Sequence, residues 1–385
     1  MKIAEFELER YFAKYEFNTK YLLSSSDIEA MSVDELLKLD ENNYDSNLTS
    51  LKNTWLGYTE APGALELRTE VAKLYENINA ESVLMHAGAE EAIMNFMFSI
   101  LAPEDHVIVM YPCYQSLISL AEAKGCEVTK WLLDEDKAWE LDFNFLEDSI
   151  KAKTKAIVIN CPHNPTGYLI SREQQQKLIE IARKNNLYIF SDEVYRLSEF
   201  DENDRLANAC DLYENAVSLG VMSKSFGLAG LRIGWVATQN KEVYKKMASF
   251  KDYSSICNSA PSETLSLIAL QNKEKLLTRN LNILKTNLDI ADKFFEKYSG
   301  NFSWIKPKAG TIAFPKYQGS ISTDELCRKM VTEYEAMLLP GAVYLDASDN
   351  DRKLLSLKNN FRLGYGRKSF TESLGKFEVC LRSLK

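Results

Sequence analysis

The sequence predicts an α/β protein: a large domain with a mainly parallel seven-stranded sheet flanked by helices, and a smaller α+β domain after it. Three observations carry this. Residues from about 83 to 235 alternate short apolar runs with helical patterns. A long helical pattern then starts near Asn272 and sets the C-terminal part apart. Finally, 385 residues are too many for one simple core and suit two domains.

The elements follow in order. Ser24-Ser25-Ser26-Asp27 reads as a loop and Asp34–Leu39 as the start of a helix, so residues 1–35 are expected to pack with the small domain. The large domain then spans 36–275. Its strands are Val83–Met85, Val107–Met110, Glu127–Trp131, Ala156–Ile159, Tyr188–Ser191, Ala216–Gly220 and Gly234–Ala237. Helical stretches such as Glu90–Ile100, Gln115–Lys124 and Arg172–Asn185 lie between several of them, which makes most neighbours parallel. In the long helix Leu281, Leu284, Leu288, Ala291 and Phe295 recur every three or four positions. The small domain, 276–385, continues with Phe302–Ile305, Thr311–Phe314, a helix near Thr323–Glu335, the run Asn360–Gly366 and a last helix.

Composition narrows the function. A net charge of −9 speaks against nucleic acid or an acidic membrane as partner. Seven scattered cysteines without a CxxC read as reduced thiols of a cytoplasmic protein. Met1–Arg10 is charged and amphipathic, unlike a secretory signal, and no apolar run reaches spanning length. The three histidines, His86, His106 and His163, lie far apart, so no metal site is expected.

Four segments carry chemistry. Lys224 sits in Ser223-Lys224-Ser225-Phe226-Gly227-Leu228-Ala229-Gly230-Leu231-Arg232. An amine that forms an imine needs a lowered pKa and room to move. Taken alone, Lys224 also reads as a surface lysine beside a glycine turn. Upstream are Ala87-Gly88-Ala89-Glu90-Glu91-Ala92, Asn160-Cys161-Pro162-His163-Asn164-Pro165-Thr166-Gly167, and Tyr188-Ile189-Phe190-Ser191-Asp192-Glu193-Val194-Tyr195. Gly88, Tyr114, Asn164 and Asp192 each follow a candidate strand, where open α/β sheets collect ligands.

In order and spacing these segments resemble the class I and II aminotransferases of fold type I, which use pyridoxal phosphate, over nearly the whole chain. The resemblance implies an enzyme that moves an amino group between an amino acid and a 2-oxo acid through an imine at Lys224. Asp192 is then the carboxylate that keeps the ring nitrogen protonated, although an aspartate at a strand end also caps turns. Asn164 and Tyr195 face the ring hydroxyl, and Tyr114 stacks on the ring. The amides of Ala89 and Glu90, with Ser223 and Arg232, hold the phosphate. Val221 stands where the family often has serine or threonine, which removes one phosphate contact. Arg362, in Phe361-Arg362-Leu363-Gly364-Tyr365-Gly366, takes the substrate carboxylate together with Asn164. Tyr58 is implied to reach the phosphate of a neighbouring subunit, which makes the working unit a homodimer with shared sites. The same lysine serves a lyase or a cyclase acting on an amino acid, and the serine-rich loop with Val221 keeps that alternative open. A non-catalytic ligand-binding domain is disfavoured, because every catalytic position is filled.

Overall fold

The computed structural model describes residues 2–346 and 349–384. Its main sheet holds β1 (Val83–His86), β2 (His106–Tyr111), β3 (Glu127–Asp134), β4 (Glu140–Leu141), β5 (Thr154–Asn160), β6 (Tyr188–Asp192), β7 (Ala216–Val221) and β8 (Gly234–Ala237). In space the order is β1-β8-β7-β6-β5-β2-β3-β4. The five strands from β7 to β3 are mutually parallel. β8 runs against both its neighbours, β1 and β7, and β4 runs against β3.

The sheet therefore has eight strands rather than the expected seven. The addition is β4, two residues that pair Leu141 with Leu133. It follows a short turn, Glu135–Lys137, closed by Ala138 in the left-handed region. A strand that short has no alternation for a sequence to display. By contrast β1, β2, β7 and β8 are buried at every position, which is why they read as unbroken apolar runs.

From β2 the chain steps to β3 on one side, then returns to β5, β6 and β7 on the other. The connections leaving the carboxyl ends of β2 and β5 thus diverge and open a crevice. Helices close the layers. One of them, Arg172–Lys184, starts on a capping box between Ser171 and Gln174, and buries Leu178, Ile179 and Ala182.

The smaller part holds a three-stranded antiparallel sheet of Ile312–Ala313, Phe361–Gly364 and Leu339–Pro340. Its core is aromatic: Phe294 stacks on Phe377 at 5.4 Å, with Phe302 and Phe361 beside them. The long helix runs from Lys273 to Lys297 and turns Leu276, Leu284, Leu288, Ala291 and Phe295 inward. Two buried asparagines interrupt that stripe. Asn280 donates to the Ser225 carbonyl at 2.9 Å, and Asn287 to the carbonyls of Tyr365 and Arg367, both at 2.8 Å. The long helix therefore ties the Lys224 segment to the Arg362 strand.

The first 35 residues touch both cores. Leu8 and Phe12, from helix Glu7–Tyr15, pack into the core of the main sheet. Tyr21, Leu23 and Ile28 pack into the smaller one, where Tyr21–Leu22 pairs with Ala336–Met337. Among the described residues, no helix is long and apolar enough to cross a membrane.

Candidate active site

A cavity of about 370 Å³ opens at the carboxyl ends of the parallel strands. Every residue nominated from the sequence lines it except Tyr58. The walls fall into three parts.

The first part is built to receive an anion. Helix Ala89–Ile100 begins after Gly88, whose φ of 94° and ψ of 176° only glycine adopts readily. A Cβ there would lie 2.6 Å from Nη2 of Arg232. The bare backbone therefore lets the guanidinium reach the free amides at the helix start. Arg232 makes one side-chain hydrogen bond, to the Ala229 carbonyl, and no carboxylate pairs with it among the described residues. Amides at a helix N-terminus with an uncompensated guanidinium beside them form an anion cradle. Ala89, Ser223 and the apolar Val221 also line the cavity, and Glu90 accepts a hydrogen bond from Ser116 Oγ at 3.0 Å.

The second part centres on Asp192, the last residue of β6. It sits in register with Asn160 of β5, whose Nδ2 donates to the Asp192 carbonyl at 3.0 Å. Asn160 Oδ1 accepts from the Asn164 amide at 2.7 Å, so one side chain ties the Asn164 turn to both strand ends. Asp192 is 5% exposed, and its Oδ1 accepts only from the Val194 amide, at 3.2 Å. Burial raises its carboxyl to about 7, with Val194 and Lys224 pulling the other way. A carboxyl so placed would be ionised by a cation in the cavity. The Tyr195 hydroxyl is buried without a hydrogen-bond partner, as expected of a group awaiting a ligand.

The third part holds the lysine and the arginine. Lys224 Nζ donates to Ser26 Oγ at 2.8 Å and lies 5.9 Å from the Tyr195 ring centre. Burial lowers its pKa, with the Asp27 carboxylate opposing. Arg362 is 1% exposed. Its Nε donates to the Ser24 carbonyl at 3.0 Å, and Nη1 reaches Asn164 Oδ1 and the Tyr344 hydroxyl, each at 3.4 Å. Its guanidinium lies 5.3 Å from the Phe12 ring centre, and no carboxylate pairs with it among the described residues.

Sequence reasoning missed the roof. Helix Glu7–Tyr15 and the turn after it bring Glu9, Phe12 and Glu16 over the cavity. Glu9 accepts from the Tyr114 hydroxyl at 2.8 Å, and the Phe6 and Tyr114 ring centres are 5.0 Å apart. The available signal was acidic residues on the inward stripe of an amphipathic helix. Tyr58 stands apart, 81% exposed, among exposed Trp55, Leu56, Tyr253 and Ile256. The bond from Thr59 Oγ1 to the Asn258 carbonyl brings these two segments together.

The family model described as aminotransferase class I and II matches residues 20–363. A crystal structure of a PLP-dependent aminotransferase from Streptococcus suis superposes with a TM-score of 0.92 at 30% identity, covering 100% of this chain and 99% of that one. An aspartate aminotransferase of Thermotoga maritima is 27% identical over 294 residues, which is 75% of this chain and 76% of that enzyme. A capreomycidine synthase of Streptomyces vinaceus is 24% identical over 339 residues, 88% of this chain and 86% of that enzyme.

Proposed function

Because the chain belongs to the aminotransferases of class I and II, we propose that Lys224 holds its pyridoxal phosphate and that the cavity around Lys224 is where the amino group moves. The activity is PLP-dependent transfer of an amino group between an amino acid and a 2-oxo acid. One observation carries the assignment of residues. Arg232 and Arg362 have no carboxylate partners, and Asp192 has no strong cationic one, yet all three line one cavity with the Lys224 amine. Arg362 and Asp192 are buried, and a buried charge left alone is costly, so each marks the place of an opposite charge on a ligand. Arg232 is exposed and marks its anion by standing beside the free amides of the helix start.

Bound, pyridoxal phosphate supplies an electron sink conjugated to the α-carbon of the amino acid. Arg232 and the amides of Ala89 and Glu90 would grip its phosphate, with Ser223 as a further donor. Asp192 would hold the proton on the ring nitrogen. Asn164 and Tyr195 would donate to the ring hydroxyl, and Tyr114 would cover the ring. Arg362 orients the substrate by its α-carboxylate, and Asn164 steadies the guanidinium. Lys224, with its amine free, would take the α-proton on Nζ; burial lowers its pKa, which favours the neutral amine that can accept it.

The exposed apolar surface around Tyr58 supports a two-fold dimer that carries Tyr58 to the neighbour's phosphate. Seven unpaired cysteines support a cytoplasmic location. Domain limits at 36 and 276 belong to the same reading. The test is spectroscopic: an amino acid alone should convert the holoenzyme's absorption to that of the aminated cofactor, and a 2-oxo acid should restore it. Consumption of the amino acid without that interconversion would favour the lyase or cyclase alternative instead.

A further inference from the structure

Once the proposed ligands are in place, the charges of the cavity do not balance. Arg232 faces the phosphate, Arg362 the substrate carboxylate and Asp192 the ring nitrogen. Asp27 is already paired, with both its oxygens 2.9 Å from Nη2 of Arg367. Three carboxylates remain, of which Glu90 stands at the proposed phosphate end and accepts from Ser116 Oγ. Glu9 and Glu16 line the cavity, and neither forms an ion pair among the described residues. They lie seven residues apart with Phe12 between them, and Phe12 packs on Arg362. Glu9 and Phe12 lie on the helix Glu7–Tyr15 and Glu16 opens the turn that follows it, and all three line the cavity. The buried positions of that helix, Leu8 and Phe12, are apolar. Burial raises the Glu16 carboxyl, and Asp27 and Glu9 raise it further. The guanidinium groups of Arg367 and Arg362 oppose this. A separate observation concerns the facing loop: Ser25 lines the cavity at 3% exposure, and its Oγ has no hydrogen-bond partner.

We infer that the amino donor carries a second cation, an ammonium or guanidinium at the far end of its side chain, held by Glu16 and Glu9 with Ser25 as a polar partner. The inference rests on the proposed binding of the substrate carboxylate at Arg362. A distal cation would pair with the acids that line this end of the cavity and donate to the Ser25 hydroxyl oxygen. A distal carboxylate would add a further negative charge there, and an apolar side chain would leave both acids without an ion-pair partner.

The test is titration calorimetry on the holoenzyme with three acids that lack an α-amino group: δ-guanidinovalerate, ε-aminocaproate and the uncharged δ-ureidovalerate. At least one cationic acid should bind about tenfold tighter than the ureido acid, or better. Glu16→Gln, with Glu9→Gln as the second variant, should remove most of that ratio. Equal affinities for all three acids, or a ratio that survives both variants, would overturn the inference. Arg362→Lys separates the two levels. If it weakens all three acids alike while they bind equally, only the cationic-substrate inference falls. If it leaves all three unchanged, the carboxylate anchor falls as well.

Discussion

Gly88→Ala perturbs the anion cradle without touching a charged residue. Two costs follow from the geometry. The first is conformational: φ of 94° with ψ of 176° is a glycine region, and forcing alanine into it costs on the order of 1–3 kcal/mol. That penalty falls on the folded protein with or without cofactor. The second is steric: the new Cβ would meet Arg232 Nη2 at 2.6 Å. The guanidinium is the flexible end of a long side chain, so it moves away rather than the backbone. Losing a charge-assisted hydrogen bond to phosphate costs about 1.5–3 kcal/mol, or roughly ten- to hundredfold in cofactor affinity. The assay has two arms, denaturant unfolding of the cofactor-free protein and fluorescence titration with pyridoxal phosphate. Gly230→Ala is the control. Nothing lies within 4 Å of its added Cβ, and its effect should stay within about 0.5 kcal/mol. If Gly88→Ala lowers stability but binds cofactor within about twofold of the parent, Arg232 is not the phosphate's partner.

Four further outcomes are expected. Lys224→Ala should abolish the borohydride-reducible bond between cofactor and protein; an adduct that survives, found by mass spectrometry, would move the attachment elsewhere. Asp192→Asn should cut turnover by orders of magnitude while pyridoxal phosphate stays bound. It should also stabilise the cofactor-free protein above about pH 7 and not near pH 4, because a carboxyl raised to about 7 in the fold loses stability as pH climbs from its unfolded value toward 7. Arg362→Lys should lower kcat/KM by about tenfold or more in steady-state kinetics, since a point charge cannot copy the paired geometry. Mixing Lys224→Ala protein with an inactive Tyr58 variant should restore part of the activity on subunit exchange, and no recovery despite proven exchange would rule out shared sites.

That Lys224, Asp192, Asn164 and Arg232 come together at one cavity was legible in the sequence, because each belongs to a short segment at a strand end. The parallel sheet was legible for the same reason, its buried strands being unbroken apolar runs. Glu9 and Glu16 were not. They reach the cavity only when a helix near the N-terminus folds over strands about a hundred residues later, as in the bond from Tyr114 to Glu9. A charged residue on an amphipathic helix looks solvent-facing until the packing partner is known. The edge strand β4 escaped because its pairing with Leu133 is decided by a turn. Tyr58 can be placed on an exposed apolar surface by one chain, but what it reaches across a boundary depends on a second.

Asn280 and Asn287 are two helical turns apart on one rigid rod, about 10 Å by helix rise. One is fastened to the segment that carries Lys224 and the other to the residues just past the strand that carries Arg362. The rod therefore acts as a gauge that sets the span between Lys224 and Arg362, the groups proposed to carry the chemistry and to grip the substrate. Changing either asparagine would alter that span without removing a single group from the cavity. Such a variant would keep its colour and its fold, yet discriminate differently among substrates of different length.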